Sequence, residues 1–153
     1  MTISKPNALI IVDANFLIAL LFEKENSERK ARAVDIFEDI KNKRIIIPWP
    51  VMFETLIDKN IKKKEALISF ENLLKKIKLK YFYDKQYRQD ALHKTFKYNT
   101  DPNLRPKDRR ISFTDMIIRS IIEDTGVKKD ALVSFNAEDF SDVCFKNRIE
   151  LIN

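Results

Sequence analysis

One stretch constrains this chain more than any other: LIIVDANFLIALLF, residues 9 to 22, an apolar run interrupted by an acid and an amide. A buried carboxylate must be hydrogen-bonded, ion-paired or metal-bound, or it takes up a proton. Asp13 therefore either ends a buried element or has a role that outweighs the cost of its place. The run divides at that point. ALIIVD is short, apolar and rich in β-branched residues, the pattern of a buried strand, while ANFLIALLFEKE reads as a helix. A membrane span or signal peptide does not fit. The run is too short and is broken by Asp13 and Asn15, with no basic segment or small-residue cleavage site at its flanks.

The same alternation continues along the chain. SERKARAVDIFEDIKNK has apolar positions near helical spacing, and RIIIPW follows as a second strand. VMFETLIDKNIKKK (residues 51–64) and EALISFENLLKKI are predicted helices. KLKYFY is a third strand whose alternating lysines suit a sheet edge. KQYRQDALHKTFKY is helical, and NTDPNLRPKDRR (residues 99–110) is the one clear loop. SFTDMIIRSIIEDTG opens with a candidate cap, Ser112, and ends at Gly126, as helices tend to. DALVSF and RIELI are the last strands. Strands alternating with helices imply a parallel sheet covered on both faces. The expected fold is α/β: a three-layer α/β/α sandwich with a central, mainly parallel sheet of four to five strands. The length, 153 residues, suits one domain over 1–153.

Scarce residue types exclude several function classes. A single glycine leaves no room for a phosphate-binding loop or a dinucleotide fingerprint, both of which need several. The single histidine, His93, excludes His-rich zinc sites and disfavours a Ser-His-Asp triad; a surface role suits it better. One cysteine, Cys144, permits no intrachain disulfide and points to the reducing cytoplasm. The net charge of +6 favours contact with polyanions, nucleic acid above all. Much of it lies in IKKKEA, LLKKIKLK and RPKDRR, and solvated helix faces explain such runs equally well.

In an open α/β sheet, ligands bind beyond the carboxyl ends of the strands, where the strand order reverses. Asp13 ends the first strand. Glu54 follows the second, Asp115 lies near the start of a later helix, and Asn136 and Asp139 follow ALVSF. All are predicted on one edge of the sheet. Each has a plain structural reading: Asp13 as a helix cap, Ser112 and Asp115 as an S-x-x-D capping box, Glu54 as an exposed helix residue. Taken together they are harder to dismiss. Carboxylates about 4 Å apart repel by about 4 kcal/mol per pair at an effective dielectric near 20. Divalent cations relieve that cost, and hard oxygen ligands suit Mg²⁺ or Mn²⁺, while no soft ligand set exists for zinc. An acidic metal site on a basic chain fits a phosphodiester substrate.

These segments carry a resemblance. LIIVDANFLI, IIIPWPVMFETL, ISFTDMIIRSIIEDTG and ALVSFNAEDF, in that order over nearly the whole chain, look like a PIN domain, the family that includes the VapC-type ribonuclease toxins. Each motif alone is weak, and the ordered set is fairly specific. The resemblance implies a metal-dependent endoribonuclease that hydrolyses single-stranded RNA with Mg²⁺ or Mn²⁺. It assigns Asp13, Glu54 and Asp115 to the first three acidic positions and Asn15 to a supporting polar position. The chain departs at the fourth, where the turn reads Ser134-Phe135-Asn136: a neutral amide stands where the family often has Asp, and Asp139 is the candidate substitute. Metal ligands are therefore expected among Asp13, Glu54, Asp115, Asp139 and Asn136, the four acids being also the catalytic set.

Ser112 and Thr114 could support the site by hydrogen bonds, with helix capping as the competing role. Arg105, Lys107, Arg109 and Arg110, in the loop that leads into the Asp115 helix, are the candidate RNA-backbone contacts. Tyr81, Phe82, Tyr83, Phe96 and Tyr98 could stack bases, though packing accounts for them better. The toxin reading further implies a small antitoxin as partner, a homodimer and no membrane association. The alternative is a catalytically weakened PIN domain that binds RNA or protein. A receiver domain lacks its required acid pair and late lysine here, and the flap-cutting nucleases carry insertions that this chain does not have.

Overall fold

The computed structural model describes residues 5–105 and 107–153. Five strands form one sheet: β1 (Leu9–Val12), β2 (Arg44–Pro48), β3 (Lys78–Phe82), β4 (Ala131–Val133) and β5 (Glu150–Ile152). Their order is β3-β2-β1-β4-β5 and every pairing is parallel. Parallel strands need crossover connections, and the helices supply them: α1 (Ala14–Phe22), α2 (Glu28–Ile40), α3 (Trp49–Thr55), α4 (Asp58–Ile61), α5 (Lys64–Lys76), α6 (Lys85–Asn99), α7 (Phe113–Glu123) and α8 (Ala137–Lys146). Helix α1 packs with α2, α3 and α5, while α7 packs between α6 and α8. The result is the expected three-layer α/β/α arrangement.

Burial follows the sheet order. The central strand β1 is buried at every position, as is β4, so both run as continuous apolar segments without alternation. Ile10 and Ile11 sit between Ile45 and Ile46 on one side and Ala131 and Leu132 on the other. On the far edge, β3 exposes Lys78 and Lys80, which discourages pairing with another strand. From β1 the chain moves outward through β2 to β3, then crosses back to place β4 on the other side of β1. The order therefore reverses at β1, and the crevice for a ligand lies beyond the carboxyl ends of β1 and β4.

The structure departs from the sequence reading in two places. The helix predicted over 51–64 is two short helices, and it starts earlier, at Trp49, with Pro50 in the first turn where a missing N–H costs nothing. Thr55 stops α3. Its hydroxyl bonds back to the Val51 carbonyl (2.7 Å), and the Asn60 amide takes the Thr55 carbonyl (2.9 Å), fastening a turn that continuous helix would not allow. The second departure is α8, which occupies the stretch between the last two strands. Phe140, Val143 and Cys144 are its buried face. Among the described residues no helix is long and apolar enough to cross a membrane.

Candidate active site

Asp13 is the first residue past β1, only 2% exposed, and its N–H extends the ladder to the Val133 carbonyl (3.0 Å). Its carboxylate is fully engaged. Oδ1 accepts from the Ala14 N–H (2.7 Å), which makes Asp13 the cap of α1. Oδ2 accepts from Asn15 Nδ2 (3.1 Å) and from the Ser134 hydroxyl (2.8 Å). Asn15 in turn accepts the Phe135 N–H through Oδ1 (3.0 Å), and Ser134 Oγ accepts the Asn136 N–H (3.1 Å). The ends of β1 and β4 are thus stitched together around one carboxylate. Asn15 thus links the Asp13 carboxylate to the turn that follows β4.

Ser134 escaped the sequence reading as a functional candidate. It is fully buried, and its hydroxyl, one residue past β4, donates to the Asp13 carboxylate. The available signal was its position, the first polar residue after an apolar strand. Asn136, next along, enters through its backbone N–H and caps no turn with its side chain.

The other acids converge on this edge from separate elements. Asp115, 7% exposed, lies in the first turn of α7, where its N–H donates to the Ser112 hydroxyl (3.1 Å). Ser112 is therefore the helix cap. Ser112→Ala should lower unfolding free energy by about 1 kcal/mol, read from urea melts, with α7 otherwise retained. Asp139, 4% exposed, lies in the first turn of α8. Glu54 on α3 is partly exposed and lines a pocket of about 330 Å³ with Phe53, Arg88, Phe113 and Thr114.

The four acids repel one another. Burial pushes the Asp13 carboxyl up to about 6, against the pull of its Ser134 and Ala14 hydrogen bonds, with Glu54 and Asp139 adding to the rise. Asp115 is pushed up to about 8, first by burial, then by the Asp13 charge, by its hydrogen bond with Asp139 and by Glu54. Both carboxyls behave as members of a cluster short of positive charge. That is the donor chemistry a hard divalent cation satisfies. As they stand, however, no three His, Cys, Asp or Glu side chains among the described residues are drawn together tightly enough to form a finished metal cage. Asp13 and Asp115 feel the charges of Glu54 and Asp139, so the donor set is gathered at one edge although no closed cage is preformed among the described residues.

The loop residues expected to meet RNA are mostly engaged within the protein. Arg105 pairs with Asp108 (3.1 Å), and Arg110 holds the Arg105 and Asp108 carbonyls (3.3 and 2.9 Å). Asn99 closes the loop by exchanging two hydrogen bonds with the Ile111 backbone (2.7 and 3.0 Å). Arg109 is bound to Asp139 through Nε and Nη2 and to Glu138 through Nη1 (3.1 Å). Lys107 is exposed. Thr114 lines the pocket beside Glu54.

A family model of the PIN domain matches residues 10–146. No curated protein matches the chain significantly. Among solved structures, a similar chain occurs in the crystal structure of VapBC2 from Rickettsia felis bound to a DNA fragment from their promoter. That chain is 16% identical, with a TM-score of 0.57 over 95% of this chain and 98% of that one. At such identity the likeness is one of fold.

Proposed function

Because the chain belongs to the PIN domain family, we propose that it is a metal-dependent endoribonuclease that hydrolyses phosphodiesters of single-stranded RNA, acting as the toxin of a VapBC-type pair. The observation that carries this reading is the acid cluster at the sheet's switch point, with Asp115 pushed up to about 8. Gathering Asp13, Asp115 and Asp139 at one edge costs the metal-free chain electrostatic energy beyond what their local contacts return. Binding Mg²⁺ or Mn²⁺ would offset that cost. The Rickettsia felis neighbour is a VapBC2 complex, which supports a small antitoxin as partner. A cytoplasmic location, a homodimer and one domain over 1–153 complete the proposal.

Asp13, Asp115 and Glu54 would hold the ion, with Asp139 and Asn136 beside them. Bound there, a divalent ion supplies positive charge for a phosphodiester and activation of water as nucleophile. The protein's part is positioning. Ser134, Asn15 and the Ala14 N–H fix both oxygens of Asp13, so the carboxylate loses little freedom when it takes a ligand. Burial and the neighbouring acids favour the protonated form of Asp115, and an ion held there would favour its carboxylate. Glu54, on the open side of the cluster, is placed to orient water. Lys107, exposed on the loop, is the cation proposed to meet a phosphate from solvent.

A second reading has two observations in its favour: Asn136 is neutral and Arg109 already neutralises Asp139, as suits a weakened PIN domain that binds RNA or protein without cutting. Cleavage of a mixed set of single-stranded RNAs separates the two. The nuclease reading expects product with Mn²⁺ or Mg²⁺ and none with EDTA. Binding without product under every metal condition would favour the second reading, and neither binding nor product would defeat the RNA reading altogether.

A further inference from the structure

Arg109 is in direct ion-pair contact with the acid cluster, and it comes from the segment between α6 and α7. The base of the segment that carries it is closed by Asn99 and Ile111, and Arg110 holds the Asp108 carbonyl. The segment delivers one guanidinium to the first turn of α8. There Nε and Nη2 engage both oxygens of Asp139, whose side chain is 4% exposed, and Nη1 reaches Glu138 at 3.1 Å. Two-pronged pairing of this kind is geometrically specific, and the arginine charge persists at every accessible pH. Without it, this buried carboxylate would face Asp13 and Asp115 with no side-chain ion-pair partner among the described residues.

We infer that Arg109 is the resident cation of the acid cluster, taking the place of a second divalent ion, so that the site accepts one ion at Asp13, Asp115 and Glu54. This rests on the metal-dependent reading above. Two independent features agree. The residue at the carboxyl end of β4 that could add a fourth carboxylate, Asn136, is neutral. Asp139, the remaining candidate for a second ion, already has both oxygens committed to the guanidinium. An ion placed there would meet a fixed positive charge. Arg109 is then a positioning residue: it sets how much positive charge the cluster still needs and holds Asp139 in place.

The test is Mn²⁺ stoichiometry on the purified full chain, by electron paramagnetic resonance and calorimetry, with no RNA present. One Mn²⁺ per chain is expected for the wild type. Arg109→Gln should gain a second, weaker site, while Arg109→Lys, which keeps the charge, should remain at one. The double replacement Arg109→Gln with Asp139→Asn removes the pair without altering net charge and leaves no unpaired buried acid. It should keep a single site with affinity within about threefold of wild type. Two ions in the wild type, or a double variant weakened more than about tenfold, would overturn the inference. So would a folded Arg109→Gln that still binds only one. Those results leave the nuclease reading standing, whereas no Mn²⁺ binding by any variant would remove the metal reading itself.

Discussion

Asp13→Asn should abolish metal-dependent RNA cleavage, by at least about a hundredfold in rate, while the protein remains folded and about as stable at pH 7.5. The two halves of this expectation have different physical origins. Asparagine is isosteric and its Oδ1 can still accept the Ala14 N–H, so the cap on α1 survives. The Ser134 hydroxyl can rotate to accept from the new amide. The Asn15 amide then faces a donor and the Ser134 hydroxyl loses its acceptor, each at a cost of about 1 kcal/mol. Against that, the substitution removes a buried charge that Glu54 and Asp139 repel. What it cannot keep is the anionic oxygen that a divalent ion needs. Cleavage assays beside thermal melts decide the matter. If the variant cuts at near wild-type rate, Asp13 is a cap and nothing more.

Asp13 also shows what a sequence can and cannot reveal. Its place was legible because a strand and a helix of opposite periodicity meet there, and an acid at that junction stands out from apolar neighbours. The strand edges were legible for the same reason: β3 carries lysines where β1 and β4 carry none, and it lies at the edge. The break between α3 and α4 was not, because it depends on which carbonyl the Thr55 and Asn60 side chains choose, and helical spacing continues across it. Helix α8 was hidden because acidic residues stand in its first turn and blur its apolar spacing. The candidate site divides along the same line. Asp13, Asn15 and Ser112 act through partners near in sequence or predictable from strand ends. The Arg109–Asp139 pair spans 30 positions, and the loop that carries Arg109 has no periodicity to orient it. Basic residues in such a loop look alike until the fold decides which of them turns inward.

The acid cluster leads to the second large effect, a loss of stability with rising pH in the metal-free protein. Asp13 rises from 3.8 to about 6 and Asp115 from 3.8 to about 8 on folding. A carboxyl raised in the folded state binds its proton more tightly there than in the unfolded chain. Its stabilising contribution is therefore complete below about pH 4 and lost as pH rises through the folded value. Asp13 loses its share between about pH 4 and 6, and Asp115 continues to about pH 8. Each pH unit of difference is worth about 1.4 kcal/mol, so the cluster should cost on the order of 3 kcal/mol or more across the window. The carboxylates whose values are lowered, Asp108, Asp124, Asp130 and Asp142, act in the opposite sense and lose their contribution only as the medium becomes acid, below about pH 4. They do not mask the effect. Urea unfolding in EDTA at pH 5, 7 and 8.5 should show the decline, and Asp115→Asn should flatten its upper half. Mn²⁺ should raise the melting temperature far more at pH 8 than at pH 5, because at the lower pH it must displace protons from the same oxygens. A flat stability profile from pH 5 to 8.5 would mean that the four acids do not share one electrostatic site, and the argument for an ion among them would lose its main support.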